Sequence, residues 1–185
     1  MKFEFVFIRH GESTANLLGE IATLEEDMLV ELTEKGKTQA LETKKVIESD
    51  VFDSIFASDM TRTQQTATII FKDQKIILDA RLREGCVSID PGVRFNYEKI
   101  EKEERKRLRL LGFDSGETFQ AQVDRVNDFI NMMYTGKYGS KIAIVTHNGC
   151  LRALEVIFNN MSLDDALVLK RTDNCGVLRY FIDKD

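Results

Sequence analysis

Tryptophan is absent from this 185-residue sequence, and it has one proline, two histidines and three cysteines. Two isolated histidines, His10 and His147, make a poor zinc site, and no cysteine spacing resembles a metal centre, so no metal or other cofactor is expected. Cys86, Cys150 and Cys175 form a sparse, odd set, which points to reduced thiols in a cytoplasmic setting rather than a disulfide framework. No apolar run reaches the roughly 18 residues of a membrane span. The first residues carry no charged stretch followed by an apolar one, so no signal peptide is expected. A net charge of −5 lacks the basic excess that nucleic acid or a membrane surface would favour. There is no internal repeat, linker or low-complexity segment. At this length one domain over residues 1–185 is expected, and 43% hydrophobic residues suffice for its core.

What is present is an alternation of short apolar runs with helical patterns. Phe3 to Ile8 is apolar except for Glu4, too short for a helix and followed by polar residues and Gly11, and so predicts a buried strand. Further strands are expected at 53–57, 76–78 and 142–146. Between them, Ser13 or Thr14 is placed to cap a short helix through about Leu18. Thr33-Glu34 opens one to about Glu48, with Ala40, Leu41, Val46 and Ile47 inward. Ser58 or Asp59 caps another through Ile70. Strand–helix alternation of this kind argues for a mainly parallel sheet with helices on both faces. From Gly85 the pattern breaks. Asp90-Pro91-Gly92 reads as a turn, 96–111 as a charged helix and 112–116 as a hinge. The segment near 85–115 is therefore a short cap-like insertion. Its charged helix is either a solvated face or a cover whose Lys102, Arg105, Lys106 or Arg109 meets an anion. A helix over 117–133 carries a core stripe (Phe119, Val123, Val126, Phe129, Ile130). A helix over 148–158 and strands at 166–170 and 176–182 complete the chain.

Both histidines stand just past a predicted strand: His10 after Phe3–Ile8 and Arg9, His147 after Ile142–Thr146. In one parallel sheet they would converge at the carboxyl edge, where ligands bind in α/β folds. The acidic, unpatterned residues 19–31 then read as a loop at the mouth of that site.

Arg9-His10-Gly11-Glu12-Ser13 with Asn16 resembles the signature of the histidine phosphatase superfamily, the phosphoglycerate-mutase-like proteins. Four further stretches resemble it in order: Leu32-Thr33-Glu34-Lys35-Gly36 with Gln39-Ala40; Ser58, Arg62-Thr63 and Thr66-Ala67; Leu82-Arg83-Glu84; and Thr146-His147-Asn148. They cover the chain from residue 3 to about 158. The resemblance implies a three-layer α/β/α fold with a mainly parallel central sheet, and phosphoryl chemistry on a small phosphomonoester.

That chemistry needs a nucleophile, positive charge around the phosphoryl oxygens and a proton for the leaving group. His10 fits the nucleophile, forming a phosphohistidine. Arg9 and Arg62 present planar forks that match phosphate oxygens. His147 adds a donor if protonated beside the dianion, and Asn16 and the backbone N–H of Asn148 add neutral ones. The resemblance points to Glu84 as general acid and then base, its pKa raised by the phosphate. Glu12 is a rival acid. The ordinary alternatives are that Arg62 lies on the surface and that Glu84 pairs with Arg81 or Arg83.

The family implies either phosphatase or mutase activity. Its mutases carry a Tyr-Gly motif after the acid and a tryptophan-rich stretch after the first motif. Here Gly85-Cys86-Val87-Ser88-Ile89-Asp90 follows Glu84, the next tyrosine is Tyr97, and tryptophan is absent. These departures, and the shorter chain, favour a phosphatase. The alternatives are a phosphoglycerate mutase, or a non-catalytic phosphate-ligand-binding protein on the same fold. The physiological substrate and oligomeric state are not legible.

Overall fold

A computed structural model describes residues 1–21, 24–85, 95–96, 99–112 and 116–184. In chain order the elements are β1 (Lys2–Arg9), α1 (Thr14–Leu18), β2 (Glu20–Ile21), α2 (Leu24–Met28), α3 (Glu34–Val46), β3 (Ser54–Ala57), α4 (Thr61–Phe71), β4 (Ile76–Leu78), a 3-10 turn (Ala80–Leu82), β5 (Phe95–Asn96), α5 (Lys102–Leu111), α6 (Phe119–Met133), β6 (Lys141–Thr146), α7 (Asn148–Asn159), α8 (Leu163–Val168) and β7 (Val177–Asp183).

Five strands form one sheet in the order β4-β3-β6-β1-β7, parallel except for β7, which runs antiparallel to β1. Successive strand residues point to opposite faces, and β1 uses both. Phe3, Phe5 and Phe7 join Phe56, Ile142 and Ile144 beneath α6 and α7, through Phe129, Leu151 and Leu154. Val6 and Ile8 join Ile55, Ala57, Ala143 and Val145 against Ala40 of α3 and Ala67 and Ile70 of α4. An unbroken apolar run is what a strand covered on both faces requires. The architecture is thus the expected layered α/β arrangement around a mostly parallel sheet.

Register places the functional edge. Arg9 lies opposite Thr146, and Ala57 opposite Val145. The next residues of three adjacent parallel strands, Ser58 after β3, His147 after β6 and His10 after β1, therefore emerge side by side.

Several local expectations are corrected. The predicted strand at 166–170 is instead the end of α8, through Val168, and the two residues after it. Ser162 caps it by accepting from the Asp165 N–H, with Asp164 and Asp165 in the first turn, where the helix dipole favours them. Residues 19–31 are not a bare loop: β2 pairs with β5, and α2 follows. A five-residue helix is too short to show a period. The helix expected at 96–111 begins only at Lys102. In α3, Ala40 and Ile47 are buried but Leu41 and Val46 are exposed. The inward face is Gly36, Ala40, Thr43 and Ile47, at spacings of three and four residues. The N-cap of α4 is Met60, not Ser58 or Asp59. Cys86, the 90–92 turn and residues 113–115 of the hinge lie outside the described residues. Among the described residues, Cys150 and Cys175 are free and buried, and no helix is long and apolar enough to cross a membrane.

Candidate active site

The site is built on the edge where β3, β6 and β1 end. Arg9, His10, Arg62 and His147 are all buried, so Arg62 is no surface arginine. The two imidazole rings lie 5.0 Å apart, centroid to centroid, close enough for one phosphate-sized anion to touch both.

His10 Nδ1 lies 2.7 Å from the Gly11 carbonyl oxygen. A carbonyl only accepts, so Nδ1 carries the hydrogen and Nε2 of the neutral ring keeps its lone pair. Burial, then the charges of Arg62 and Arg9, hold the His10 pKa well below its usual value. Neutrality is therefore built in. His147 is likewise pushed down, by burial and by Arg62. In the anion-free site it is neutral, and the expected donor role of its imidazolium needs an anion to restore the charge. Its Nε2 shares a hydrogen bond with Ser58 Oγ at 3.1 Å, and its buried Nδ1 has no partner among the described residues. Arg9 donates from Nη1 to the Thr172 carbonyl, while its buried Nε likewise has no partner among the described residues.

Arg62 is already engaged. Its Nη1 and Nη2 meet the two carboxylate oxygens of Asp27 at 2.9 and 3.0 Å, and Nη1 also reaches the Asp27 carbonyl at 2.8 Å. The acidic segment at the mouth thus puts a carboxylate on the fork.

The loop after β1 is fixed from below by α3. Gly11 and Gly36 meet backbone to backbone so closely that a Cβ on Gly11 would strike the Gly36 carbonyl, and one on Gly36 the Glu12 carbonyl. Glu12 itself accepts from Thr33 Oγ1 at 2.9 Å and Lys35 Nζ at 2.8 Å. Those two contacts, Lys35 foremost, depress its pKa, which is the reverse of what a proton donor needs. Asn16 sits exposed at the rim, closing the capping box of α1 with Ser13. Its Oδ1 also accepts from Asn174, whose amide donates to the His10 carbonyl as well. Asn148 opens α7, and its Oδ1 accepts from the Thr172 N–H.

Glu84 follows the 3-10 turn. Thr146 Oγ1 donates to the Leu82 carbonyl, Cys150 Sγ to that of Arg83 and Arg125 Nη2 to that of Glu84 itself. Its side chain is not seen ion-paired with either suspected partner among the described residues: Arg81 pairs with Asp79 and Arg83 with Asp59. The carboxylate instead accepts from the N–H groups of Gly85 at 2.8 Å and Gly149 at 3.1 Å, with Arg109 Nη2 at 3.5 Å. Burial pushes its pKa up, but Arg109, the two N–H groups and Arg62 outweigh that and bring it down to about 2. The expected upward shift is thus not a property of the anion-free site. Of the other cations expected to meet an anion, Lys106 pairs with Asp164 of α8 and Lys102 is exposed. Among the described residues no cluster of three or more His, Cys, Asp and Glu side chains could hold a metal ion.

Sequence reasoning missed Asp27, Gln122 and Gly149. Gln122 carried a signal, as a polar residue on the buried face of α6, three residues from Phe119.

Two imidazoles held neutral and two arginines are thus buried together at the carboxyl ends of parallel strands. The chain belongs to the histidine phosphatase superfamily (branch 1), whose family model matches residues 5–185. It is 28% identical over 178 residues to a 2-carboxy-D-arabinitol-1-phosphatase of Triticum aestivum, covering 92% of this chain and 35% of that protein. It is 30% identical over 165 residues to a metal-independent phosphoserine phosphatase of Arabidopsis thaliana, covering 82% and 66%. It is 32% identical over 158 residues to a probable phosphoglycerate mutase GpmB of Cronobacter sakazakii, covering 78% and 70%. This chain therefore spans about a third of the wheat relative's length and about two-thirds of the Arabidopsis one's. Among solved structures, Bacillus stearothermophilus YhfR matches with a TM-score of 0.82 at 22% identity, over 95% of this chain and 89% of that one, a likeness of fold.

Proposed function

We propose that the protein is a phosphomonoester hydrolase working through a phosphohistidine on His10. The observation that carries this reading is the His10 ring: neutral by environment, its Nδ1 hydrogen bound to Gly11, its Nε2 lone pair retained, and Arg9 and Arg62 beside it. In the first step Nε2 attacks phosphorus and the ester P–O bond breaks. The leaving alkoxide takes a proton from Glu84. In the second, Glu84 as carboxylate takes a proton from water. The resulting hydroxide displaces His10, releasing inorganic phosphate and regenerating the imidazole. Arg9, Arg62, His147 and the Asn148 N–H stabilise the charge on the transferring group, and Asn16 steadies the rim.

The first step needs Glu84 protonated, whereas Arg109 and the glycine N–H groups favour its anion. The arriving phosphoryl dianion opposes them and raises its proton affinity. The phosphatase names of two relatives support hydrolysis, as do the missing tryptophan and Tyr-Gly motif. The mutase name of the third keeps transfer to a second hydroxyl as the alternative. The substrate class is a small phosphomonoester, to be found by screening sugar, nucleotide, amino-acid and glycerate phosphates without added metal.

The test is His10→Ala. Turnover is expected to vanish with the fold intact, and brief exposure to phosphate-labelled substrate should give an acid-labile, base-stable phosphoprotein in the wild type alone. A fully active variant, or an acid-stable label, would rule out the route. Label passing to an added acceptor alcohol faster than to water would favour the mutase reading.

A further inference from the structure

We propose that Arg109, bridged by Gln122, is a positioning residue that sets the proton affinity of Glu84 and thereby divides the enzyme's effort between its two steps; this rests on the reading of Glu84 as acid and base. Arg109 comes from α5 in the cap-like insertion, Gln122 from α6 and Gly149 from the start of α7, so three elements converge on one carboxylate. Arg109 Nη2 donates to Gln122 Oε1 at 2.9 Å and Nη1 to the Gly85 carbonyl at 3.3 Å. Gln122 Nε2 in turn lies 3.4 Å from Glu84 Oε1. The amide thus accepts from the guanidinium and donates to the carboxylate, which is the orientation that links the two. Gln122 is buried, and the Arg109 side chain is only 14% exposed.

The nest has no spare room. A Cβ on Gly85 would crowd the Arg109 guanidinium at 2.6 Å, and one on Gly149 would strike the Glu84 carboxylate itself. The glycines therefore let arginine, amide and carboxylate share one small space, and that closeness makes the Arg109 charge effective. Other groups also act on Glu84. Arg62 favours its anion, and Arg9 and His10 feel its charge from β1, as Cys150 does from α7. Arg125 reaches only its backbone carbonyl. Arg62 and Arg9 are the arginines assigned to the substrate phosphate, whose charge offsets theirs once bound. Arg109, one of the four cations expected to meet an anion, is instead engaged with Gly85, Gln122 and Glu84 and keeps acting on Glu84 throughout the cycle.

A fixed cation here favours the base form, hence the hydrolysis of phosphohistidine, at the expense of leaving-group protonation. Its removal should favour the acid. In Arg109→Gln the alkaline limb of kcat for an alkyl phosphate, which reports the substrate-bound state, should move up by about one pH unit or more, the effect of losing an opposite charge at this range. On 4-nitrophenyl phosphate, whose leaving group needs no proton, no such movement is expected. Phosphohistidine should accumulate at acid pH in the variant. Arg109→Lys, which keeps the charge, should retain the wild-type limb. Gln122→Met, which cuts the bridge from the α6 side, should move the limb in the same direction as Arg109→Gln and serves if that variant folds poorly. A limb unmoved in both variants, with Glu84→Gln still abolishing it, would overturn the positioning role and leave Glu84 as the acid. A wild-type limb persisting in Glu84→Gln would instead remove the acid assignment, and this inference with it.

Discussion

At the scale of single residues, Glu12, two positions from His10, and Glu84, whose charge His10 feels, illustrate how environment sets a carboxyl group's state. Glu12 and Glu84 are the same side chain. Glu12 is spent on Thr33 and Lys35 at the start of α3, while Glu84 is held by the N–H groups of Gly85 and Gly149 beside Arg109. Glu84→Gln keeps size and hydrogen bonding but gives no proton. A loss of about 10²–10⁴ is expected on alkyl esters and much less on an aryl ester, when chemistry limits the rate. Equal small losses on both would make Glu84 structural and leave the acid to be sought elsewhere. The pH sign also follows. A carboxyl held down at about 2 stays ionised through the neutral range in the free enzyme. Any basic limb near neutrality must therefore belong to the substrate-bound state, and it should appear in kcat before it appears in free-enzyme titrations. Carboxyl ¹³C shifts of the free enzyme, with Glu84→Gln to identify the resonance, should show no titration of this group above about pH 4, roughly two units beyond its midpoint.

At the scale of elements, the close approach of the first loop to α3 is the feature most exposed to substitution. Gly36→Ala would drive a Cβ into the Glu12 backbone, which cannot yield as a flexible side chain would. Overpacking of this kind costs about 1–3 kcal/mol, to be read as a lower urea midpoint at unchanged slope. The shift should also loosen the Gly11 carbonyl that fixes the His10 hydrogen, so activity should fall further than stability alone explains. A neutral outcome would mean α3 can slide without moving the loop.

At the scale of the whole molecule, what was legible in the sequence was what burial on two faces imposes. Phe3–Ile8 and Ile142–Val145 read as strands because both sheet faces are covered, and the histidines after them stood out by that position and by the family resemblance of the residues around them. Less legible were short elements and convergences. Five residues of α2 leave no period, and the apolar 166–170 stretch fits a helix end as well as a strand. The partners of Glu84 come from positions 25, 38 and 65 residues further along the chain, a convergence that no local pattern encodes. At the opposite edge of the sheet, Glu4, Asp50, Lys141 and Arg179 tie β1, β6 and β7 to the chain after α3. The hydrogen bond from Arg179 outweighs burial and, with Lys141, holds the Asp50 pKa at about 2 rather than its ordinary 3.8. A depressed carboxyl stabilises the fold fully above its unfolded pKa. That contribution declines as pH falls from about 4 towards 2 and is gone below. Urea midpoints across this range should fall more steeply for the wild type than for Asp50→Asn. Parallel curves would mean the network is worth little.

On the proposed function, Asp27 on the Arg62 fork carries a consequence for how product would leave. On that reading this carboxylate is a tethered competitor of phosphate. Tethering by a short segment gives it an effective concentration that can reach the millimolar range. The apparent affinity of any free anion is then reduced by the fraction of molecules in which the fork is occupied. Substrate is bound more weakly for this, but departing phosphate is met by an incoming replacement. The guanidinium never has to be stranded, buried and unpaired, while the product leaves. Asp27→Asn removes the competitor's charge, and inhibition by inorganic phosphate should tighten, measured as a lower Ki against any substrate. An unchanged Ki would mean that the fork opens freely and that turnover owes nothing to this internal anion.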